Sequence, residues 1–362
     1  MIEGKNISKD FVSRKVFLLL VIAVILLLVG IHFRTKSSSD ISVKDAEKQI
    51  EENLRAAGVS EYEKIDLQAY EKQAGVDLSK YVSYRFFYTS DDLKIEAFLS
   101  APIDLLGKKK SPCLIYNHGG NRSYGALKNV ETTYYAYQFH TICVASNYRG
   151  CGKSEGTDAF GGDDVHDVIH LLDLCEKLNS VDTKNINMFG VSRGGMMTYE
   201  TLREDRRIHK AVVVAGVADC TMNYEEREDM RSLLTELIGG TPEQLPEEYS
   251  RRSAVAWADE INTPLLIFHT TGDDKVSIKQ ADKLVKQLKK NQKDYEYVTF
   301  ESNIHGDLRK TDVEKSGNGC RRRYFITFLS FLYMAMSFNL LVNCGVWRLW
   351  GLASGTDLRR LF

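Results

Sequence analysis

The chain has 362 residues, of which 43% are hydrophobic and 27% are charged, so it can bury a large core and overall disorder is excluded. Its 48 basic residues nearly balance its 49 acidic residues, and the formal net charge is −1. A chain without a strong field of one sign gives no reason to expect nucleic acid as a partner.

The first predicted element is an uncharged, almost wholly aliphatic run at residues 16–33. As a helix it would extend about 27 Å, close to the hydrocarbon thickness of a bilayer. A cleaved signal peptide is the alternative, but no A-x-A-like cleavage site follows the run. We therefore expect a transmembrane anchor that contacts membrane lipid. Basic residues in the preceding tail, 1–15, favour a cytoplasmic tail and an extracytoplasmic catalytic domain, although Lys44 and Lys48 weaken this bias.

Residues 34–80 are predicted to connect the anchor to the catalytic domain. They begin with the polar sequence RTKSSSDI, which is typical of a linker. Further on, Ala46, Ile50 and Leu54 recur at helical spacing among Lys and Glu residues. This spacing predicts an amphipathic stalk helix over residues 43–57.

From residue 81 the pattern predicts an α/β domain that extends to residue 336. Eight runs rich in β-branched and aromatic residues are predicted strands: 82–88, 93–100, 112–117, 140–146, 186–191, 210–215, 264–269 and 295–301. The first two alternate like an antiparallel hairpin, and the later ones are apolar throughout, like strands buried on both faces. Predicted helices at 163–178, 193–204 and 277–290 lie between them. The alternation indicates a mostly parallel, eight-stranded sheet with helices on both faces and functional groups at the carboxyl ends of its strands.

Ser192 is the candidate nucleophile. It follows the predicted strand 186–191 within Gly190-Val191-Ser192-Arg193-Gly194, which fits the G-x-S-x-G pattern. The glycines are needed because the chain turns sharply from strand to helix around a strained serine. A glycine-rich turn with an incidental serine is the alternative reading of this pattern.

His305 is the candidate base, because it follows the last predicted strand and its loop returns to the carboxyl edge of the sheet. The carboxylate that orients it comes from the loop after strand 264–269, where Asp273 and Asp274 are adjacent. Asp273 lies three residues before Val276, as in a D-x-x-V turn, and is assigned; Asp274 is the alternative. The order serine, aspartate, histidine is the one expected of α/β-hydrolases.

The oxyanion of an acyl-transfer reaction requires two N–H donors. The backbone N–H of Arg193, at a helix N-terminus, is the first. Strand 112–117 runs into His118-Gly119-Gly120-Asn121, where small residues allow close approach. Gly120 is the best candidate for the second donor, and Gly119 and Asn121 are the alternatives. His118 is expected to support this loop.

No cofactor or metal site is predicted. His166 and His170 lie four residues apart on the predicted helix 163–178, but no third ligand accompanies them. The acidic residues of GGDD at 161–164 are expected to favour the N-terminus of that helix. The seven cysteines include no CxxC pair that would indicate zinc or redox chemistry.

The chain resembles the catalytic domain of the prolyl oligopeptidase family, which includes dipeptidyl and acylaminoacyl peptidases. The matching segments are IYNHGG (115–120), NYRGCGKSEG (147–156), GVSRGG (190–195), YSRRSAVAWADEI (249–261), TPLLIFHTTGDDKVS (263–277) and NIHG (303–306). The resemblance implies an α/β-hydrolase fold, an acyl-enzyme mechanism, and a catalytic triad that maps onto Ser192, Asp273 and His305. One departure is Thr270, which stands where the family usually has glycine.

The resemblance leaves the substrate open. Larger family members carry a β-propeller, for which the residues between the anchor and the first predicted strand are too few. A small peptide or an ester is therefore the expected substrate, and a carboxylesterase-type hydrolase is one alternative. A catalytically silent interaction domain is the other. Residues 217–258 are expected to form small helices over the site, like a lid. We expect a packed terminal helix at 321–336 and a tail of unassigned role at 337–362, with a second membrane span over 324–342 as the alternative.

Overall fold

The computed structural model describes residues 41–107, 110–128 and 130–306. The expected anchor at 16–33, the tail before it and everything predicted after residue 306 lie outside these ranges. Among the helices within them, none is both long enough and apolar enough to traverse a bilayer.

One sheet organises the described residues, with its strands in the order β1-β2-β3-β5-β4-β6-β7-β8-β9. These strands are β1 (Glu61–Lys64), β2 (Tyr81–Ser90), β3 (Leu93–Pro102), β4 (Ser111–Asn117), β5 (Ile142–Ser146), β6 (Val181–Val191), β7 (Lys210–Val214), β8 (Leu265–Thr270) and β9 (Tyr295–Phe300). The first three strands are antiparallel, as is the pair β3–β5, and all later pairs are parallel. The loops after β4, β6, β8 and β9 therefore meet at one edge.

Helices lie between the strands and in a segment after β7. They are α1 (Val43–Ala56), α2 (Gln68–Ala74), α3 (Val130–Phe139), α4 (Val165–Lys177), α5 (Arg193–Glu204), α6 (Cys220–Glu226), α7 (Arg231–Ile238), α8 (Pro246–Arg251) and α9 (Ile278–Lys290). The helices predicted at 163–178, 193–204 and 277–290 are thereby confirmed as α4, α5 and α9.

Helices cover both faces of the sheet. On one face, Ala136 of α3 shares a buried core with Val212 and Val214 of β7. On the other, a Cβ added to Gly195 of α5 would lie 2.6 Å from Val213 Cγ1. Since successive side chains of a strand point to opposite faces, α3 and α5 flank the sheet from opposite sides. This arrangement confirms the α/β-hydrolase-like fold.

The predicted number of eight strands is wrong by one, because β1 adds an edge strand. Its sequence is EYEK, and Glu61 to Lys64 pair antiparallel with β2. Three of its four residues are exposed. A strand of this composition carries no apolar alternation, so only its pairing with β2 reveals it.

The predicted amphipathic helix exists as α1, but it is not a stalk. Ala46, Ile50 and Leu54 are almost fully buried. Gln49 Nε2 also donates to the Oγ atom of Ser180, the residue just before β6, at 2.9 Å. The apolar face that predicted the helix therefore packs on the α/β domain, and residues 43–64 belong to that domain and not to a linker.

Candidate active site

The strand-to-helix turn between β6 and α5 holds Ser192 in a strained conformation. Its φ of 59° and ψ of −123° are rare for a residue with a side chain. The Ser192 N–H donates to Val214 O at 3.0 Å, which ties the turn to β7. A Cβ at Gly190 would lie 2.2 Å from Gly194 O, and a Cβ at Gly194 would lie 2.0 Å from Asn117 O. Both glycines are therefore required by close backbone contacts, as the sequence pattern predicted.

The loop after β4 passes beside the Ser192 side chain. A Cβ at Gly119 would lie 3.1 Å from Ser192 Cβ and 3.7 Å from Ser192 Oγ. Gly120 has a φ of 80°, and a backbone pair between Asn121 and Tyr124 closes the turn that follows. Arg193 is the first residue of α5, so its N–H lacks an acceptor within the helix. The predicted oxyanion donors thus come from two segments that meet at Ser192.

Asp273 and His305 form a hydrogen-bonded pair at the same edge of the sheet. His305 Nδ1 lies 2.9 Å from Asp273 Oδ1 and 2.8 Å from Oδ2. The N–H groups of Lys275 and Val276 also donate to Oδ1, at 2.9 and 3.0 Å. Burial alone would raise the pKa of Asp273, but the hydrogen bonds from His305 and from these amides outweigh it and keep the pKa below its ordinary value. The carboxylate is therefore ionised at neutral pH.

The geometry distinguishes Asp273 from Asp274. Asp274 is exposed, and its carboxylate lies 3.5 Å from Lys275 Nζ. Among the described residues, Asp274 forms no hydrogen bond or ion pair with His305, whose partner is Asp273. Only Asp273 is placed to orient the imidazole.

The loop that carries His305 lies beside the end of β6. A Cβ at Gly306 would lie 3.5 Å from Val191 Cγ1, and Thr270 Oγ1 donates to Ile304 O at 3.0 Å. In the part of the chain that the structure describes, no hydrogen bond joins Ser192 Oγ to His305. Hydrogen bonds between a catalytic base and its nucleophile often tighten only when substrate is bound, so the absence of this bond is compatible with His305 as the base.

Three histidines outside the Asp273–His305 pair, namely His118, His166 and His170, interact with other residues of the described chain. His118 stacks on Tyr148 with ring centroids 4.4 Å apart, and its Nδ1 donates to Gly119 O at 2.7 Å. Burial lowers the pKa of His118 to about 4, so the ring is neutral and supports the glycine loop. His166 Nδ1 lies 2.6 Å from Asp91 Oδ2, and His170 Nδ1 lies 2.9 Å from Ser90 Oγ.

The side chain of Arg193 is a feature that the sequence analysis missed. It is 1% exposed, and its guanidinium lies 2.8 Å from both carboxylate oxygens of Asp158 and 2.6 Å from Asp164 Oδ2. The same group donates to Gly120 O at 3.2 Å. Asp164 lies in the first helical turn before α4, as expected, and its carboxylate has a further role: it accepts the N–H of Gly161 and binds Arg193. No spacing rule relates these residues, so no sequence signal could have paired them.

The small helices predicted for residues 217–258 are present and border the site. Arg122, in the turn after Gly120, forms an ion pair of 2.5 Å with Glu236 of α7. Arg227, at the end of α6, donates to Lys275 O at 2.8 Å, in the loop that carries Asp273. The segment thus contacts both the glycine loop and the acid loop. Its predicted action as a lid stays a prediction.

Comparisons with known proteins connect this geometry to a family. A sequence model of the prolyl oligopeptidase family (Peptidase_S9) matches residues 129–318. Over 221 residues the chain is 32% identical to the uncharacterized peptidase YtmA of Bacillus subtilis, covering 60% of this chain and 84% of YtmA. It is also 28% identical over 211 residues to dipeptidyl aminopeptidase B of Saccharomyces cerevisiae, covering 54% of this chain and 24% of that protein.

Solved structures show the same fold. The acylaminoacyl peptidase of Pyrococcus horikoshii superposes with a TM-score of 0.54 and 22% identity, covering 61% of this chain and 37% of that one. The chain thus spans most of YtmA but only about a quarter to about two fifths of the larger relatives.

Proposed function

The chain belongs to the prolyl oligopeptidase family and is a serine hydrolase, and from this premise we propose that it cleaves an amide bond of a short peptide through an acyl-enzyme intermediate. The observation that carries the proposal is the buried Asp273–His305 pair, which lies at the same sheet edge as the strained Ser192. Because the larger relatives extend well beyond the matched part, their own substrates are not assigned to this chain.

In the proposed mechanism, Ser192 Oγ attacks the scissile carbonyl carbon while its proton passes to Nε2 of His305. Asp273 holds Nδ1–H and stabilises the imidazolium that forms. The oxyanion accepts hydrogen bonds from the N–H of Arg193 and from the Gly119–Gly120 loop. When the C–N bond breaks, His305 returns the proton to the leaving amine. A water molecule then repeats the cycle on the acyl-enzyme and frees Ser192.

A fluorophosphonate probe tests the nucleophile. We expect the wild-type chain to be labelled and Ser192→Ala to lose labelling, because the probe reacts only with an activated serine. Ser60→Ala, which alters an exposed serine of the same domain, is the matched control and should label like the wild type. Undiminished labelling of Ser192→Ala would remove Ser192 from the mechanism, and an unlabelled wild type would favour the silent interaction domain.

A substrate panel tests the bond that is cleaved. Aminoacyl and dipeptidyl anilides contain amide bonds, whereas p-nitrophenyl esters have a far better leaving group. We expect turnover of both classes, with measurable kcat on the anilides. Turnover of the esters alone would contradict the proposed peptidase activity and favour a carboxylesterase.

We also propose that residues 16–33 anchor the enzyme in a membrane with its catalytic domain on the extracytoplasmic side. The support is the length and apolar character of this run and the basic residues before it. The full chain should stay with membranes after carbonate washing, and a chain that lacks residues 1–40 should be released. Degradation of the catalytic domain by protease added outside intact cells would support this orientation. Full protection of the domain would indicate the opposite orientation.

A further inference from the structure

The turn at residues 119–125 contains three residues with positive φ, of which only Arg122 has a side chain. Gly120, Arg122 and Gly125 have φ values of 80°, 49° and 75°. A left-handed conformation is costly for a residue with a side chain such as Arg122, so contacts from outside the turn must stabilise it. The turn must also be placed accurately, because Gly119 lies against the Ser192 side chain.

Asp158 and Arg193 supply those outside contacts. Asp158 Oδ2 accepts the N–H of Arg122 at 2.7 Å, and Arg193 Nη1 donates to the carbonyl of Gly120 at 3.2 Å. Arg193 Nη1 donates to Asp158 Oδ2 at 2.8 Å, and Arg193 Nη2 lies at an ion-pair distance of 2.8 Å from Asp158 Oδ1. Asp158 Oδ1 also accepts the N–H of Phe160. One ion pair therefore contacts the turn at two backbone positions, two residues apart.

The ion pair is itself held in place. Arg193 and Asp158 are 1% and 2% exposed, and the guanidinium lies over the rings of Tyr148 and Phe160, 5.1 and 5.2 Å from their centroids. The Tyr148 hydroxyl also donates to His118 O at 3.1 Å, so the same assembly contacts the chain just before the turn. A planar guanidinium with fixed donors suits such a position better than a flexible ammonium group.

We propose that the Arg193–Asp158 ion pair is a positioning device, which sets turn 119–125 so that its N–H groups face the oxyanion formed on Ser192. The proposal rests on the proposed function and adds a role for the Arg193 side chain to the role of its backbone N–H. The pair does not touch substrate. It acts through the turn, so its loss lowers the stabilisation of the transition state more than the binding of the ground state.

Two conservative variants test the proposal in the full chain. Arg193→Lys keeps the charge but cannot bind both Asp158 oxygens and Gly120 O, and Asp158→Asn keeps the shape but removes the charge. We expect each to lower kcat on an anilide substrate about 10- to 100-fold while KM changes less than about threefold, since removal of a whole oxyanion donor costs about 10²–10³ in kcat. The affinity for a peptidyl boronic acid, which forms a tetrahedral adduct on serine, should fall in parallel with kcat.

The matched control is Arg203→Lys on the same helix. Arg203 also forms an ion pair, with Glu260, and lies over an aromatic ring, that of Trp257, but at the far end of α5. We expect wild-type kcat from this variant. A double variant, Arg193→Lys with Asp158→Asn, should lose little more activity than either single variant, because the pair acts as a unit.

Three results would overturn the proposal: wild-type kcat in folded Arg193→Lys and Asp158→Asn, an equal loss in Arg203→Lys, or a rise in KM in place of a fall in kcat. If one variant fails to fold, the kcat and boronate affinity of the other decide. Continued labelling of Ser192→Ala is a separate result, which defeats the proposed function whatever Arg193 does.

Discussion

At the scale of single residues, Asp273 has each property that an orienting carboxylate needs. It is buried, it accepts two backbone amides that fix its orientation, and both of its oxygens lie within 2.9 Å of His305 Nδ1. Its neighbour Asp274 is exposed and faces Lys275. Two adjacent residues of the same type therefore differ only in their surroundings, which makes them a natural pair for comparison.

We predict that Asp273→Asn lowers kcat about 10³- to 10⁴-fold, because an amide stabilises the imidazolium poorly and permits the wrong tautomer. Asp274→Asn should stay within about threefold of the wild type, since its carboxylate makes only an exposed ion pair. The measurement is kcat on an activated ester over a range of pH. Equal losses in the two variants would contradict the assignment.

Glu200 is a buried carboxyl group outside the proposed mechanism. It is 3% exposed on α5, and its oxygens accept the N–H of Gly162 at 3.2 and 3.4 Å. Burial raises the pKa of Glu200 from 4.5 to about 8, against the effect of Arg252. The folded protein therefore holds a proton here that the unfolded chain releases at lower pH.

This shift predicts a pH-dependent effect of Glu200→Gln. For an acid whose pKa is raised by folding, the stabilising effect is complete below the unfolded pKa and is lost as pH rises towards the folded pKa. Gln retains the acceptor for Gly162 but cannot ionise. The Tm of Glu200→Gln minus that of the wild type should therefore increase between pH 5 and pH 8. Glu204→Gln, an exposed residue of the same helix, is the control, and its Tm difference should stay flat.

At the scale of secondary structure, the N-terminus of α5 approaches β4 so closely that the site depends on the contact. The nearest atoms to a Cβ at Gly194 are backbone atoms, Asn117 O at 2.0 Å and Asn117 C at 2.5 Å. Backbone cannot rotate away as a side chain can. The position of Ser192 beside the loop after β4 thus follows from the absence of a side chain at Gly194.

We predict that Gly194→Ala unfolds the domain or lowers Tm by about 10 °C or more, because α5 must move away from β4. The matched control is Gly75→Ala, after α2, where no atom lies within 4 Å of the added Cβ. Its φ of 66° makes alanine strained by about 1–2 kcal/mol. Calorimetry gives the Tm of both variants. A similar small decrease in Tm for both would mean that the contact between Gly194 and Asn117 relaxes to admit the methyl group, contrary to the prediction.

The sequence predicted the elements that carry their own local signal. Apolar runs predicted β2 to β9 within a few residues, and G-x-S-x-G predicted the turn at Ser192 because steric requirements act within five residues. The strand β1 and the Arg193–Asp158 pair were not predicted. Both depend on partners brought together by the fold, so neither leaves a periodic or spaced pattern in the chain.

At the scale of the whole domain, residues 43–64 extend the fold beyond the segment in which the motifs occur. The helix α1 buries its apolar face, and β1 extends the sheet at its antiparallel edge. Lys64 Nζ lies 2.5 Å from Glu47 Oε1, which joins these two elements to each other. An amphipathic helix looks the same in sequence whether it packs on its own domain or connects it to something else, so spacing alone could not separate a stalk from a structural element.

Packing of α1 on the domain predicts that Ile50→Ala lowers the stability of the catalytic domain itself. Ile50 is 1% exposed, and truncation of a buried isoleucine to alanine costs about 2–5 kcal/mol, or roughly 5–15 °C in Tm for a domain of this size. Lys48→Ala, two residues away with its side chain 74% exposed, should change Tm by less than about 2 °C. The Tm should be followed by loss of hydrolase activity on heating as well as by calorimetry, because an independent stalk would melt without affecting the active site. If α1 is part of the domain, Ile50→Ala should shift both measurements together. If Ile50→Ala loses activity at the same temperature as the wild type, the result would support α1 as an independent stalk.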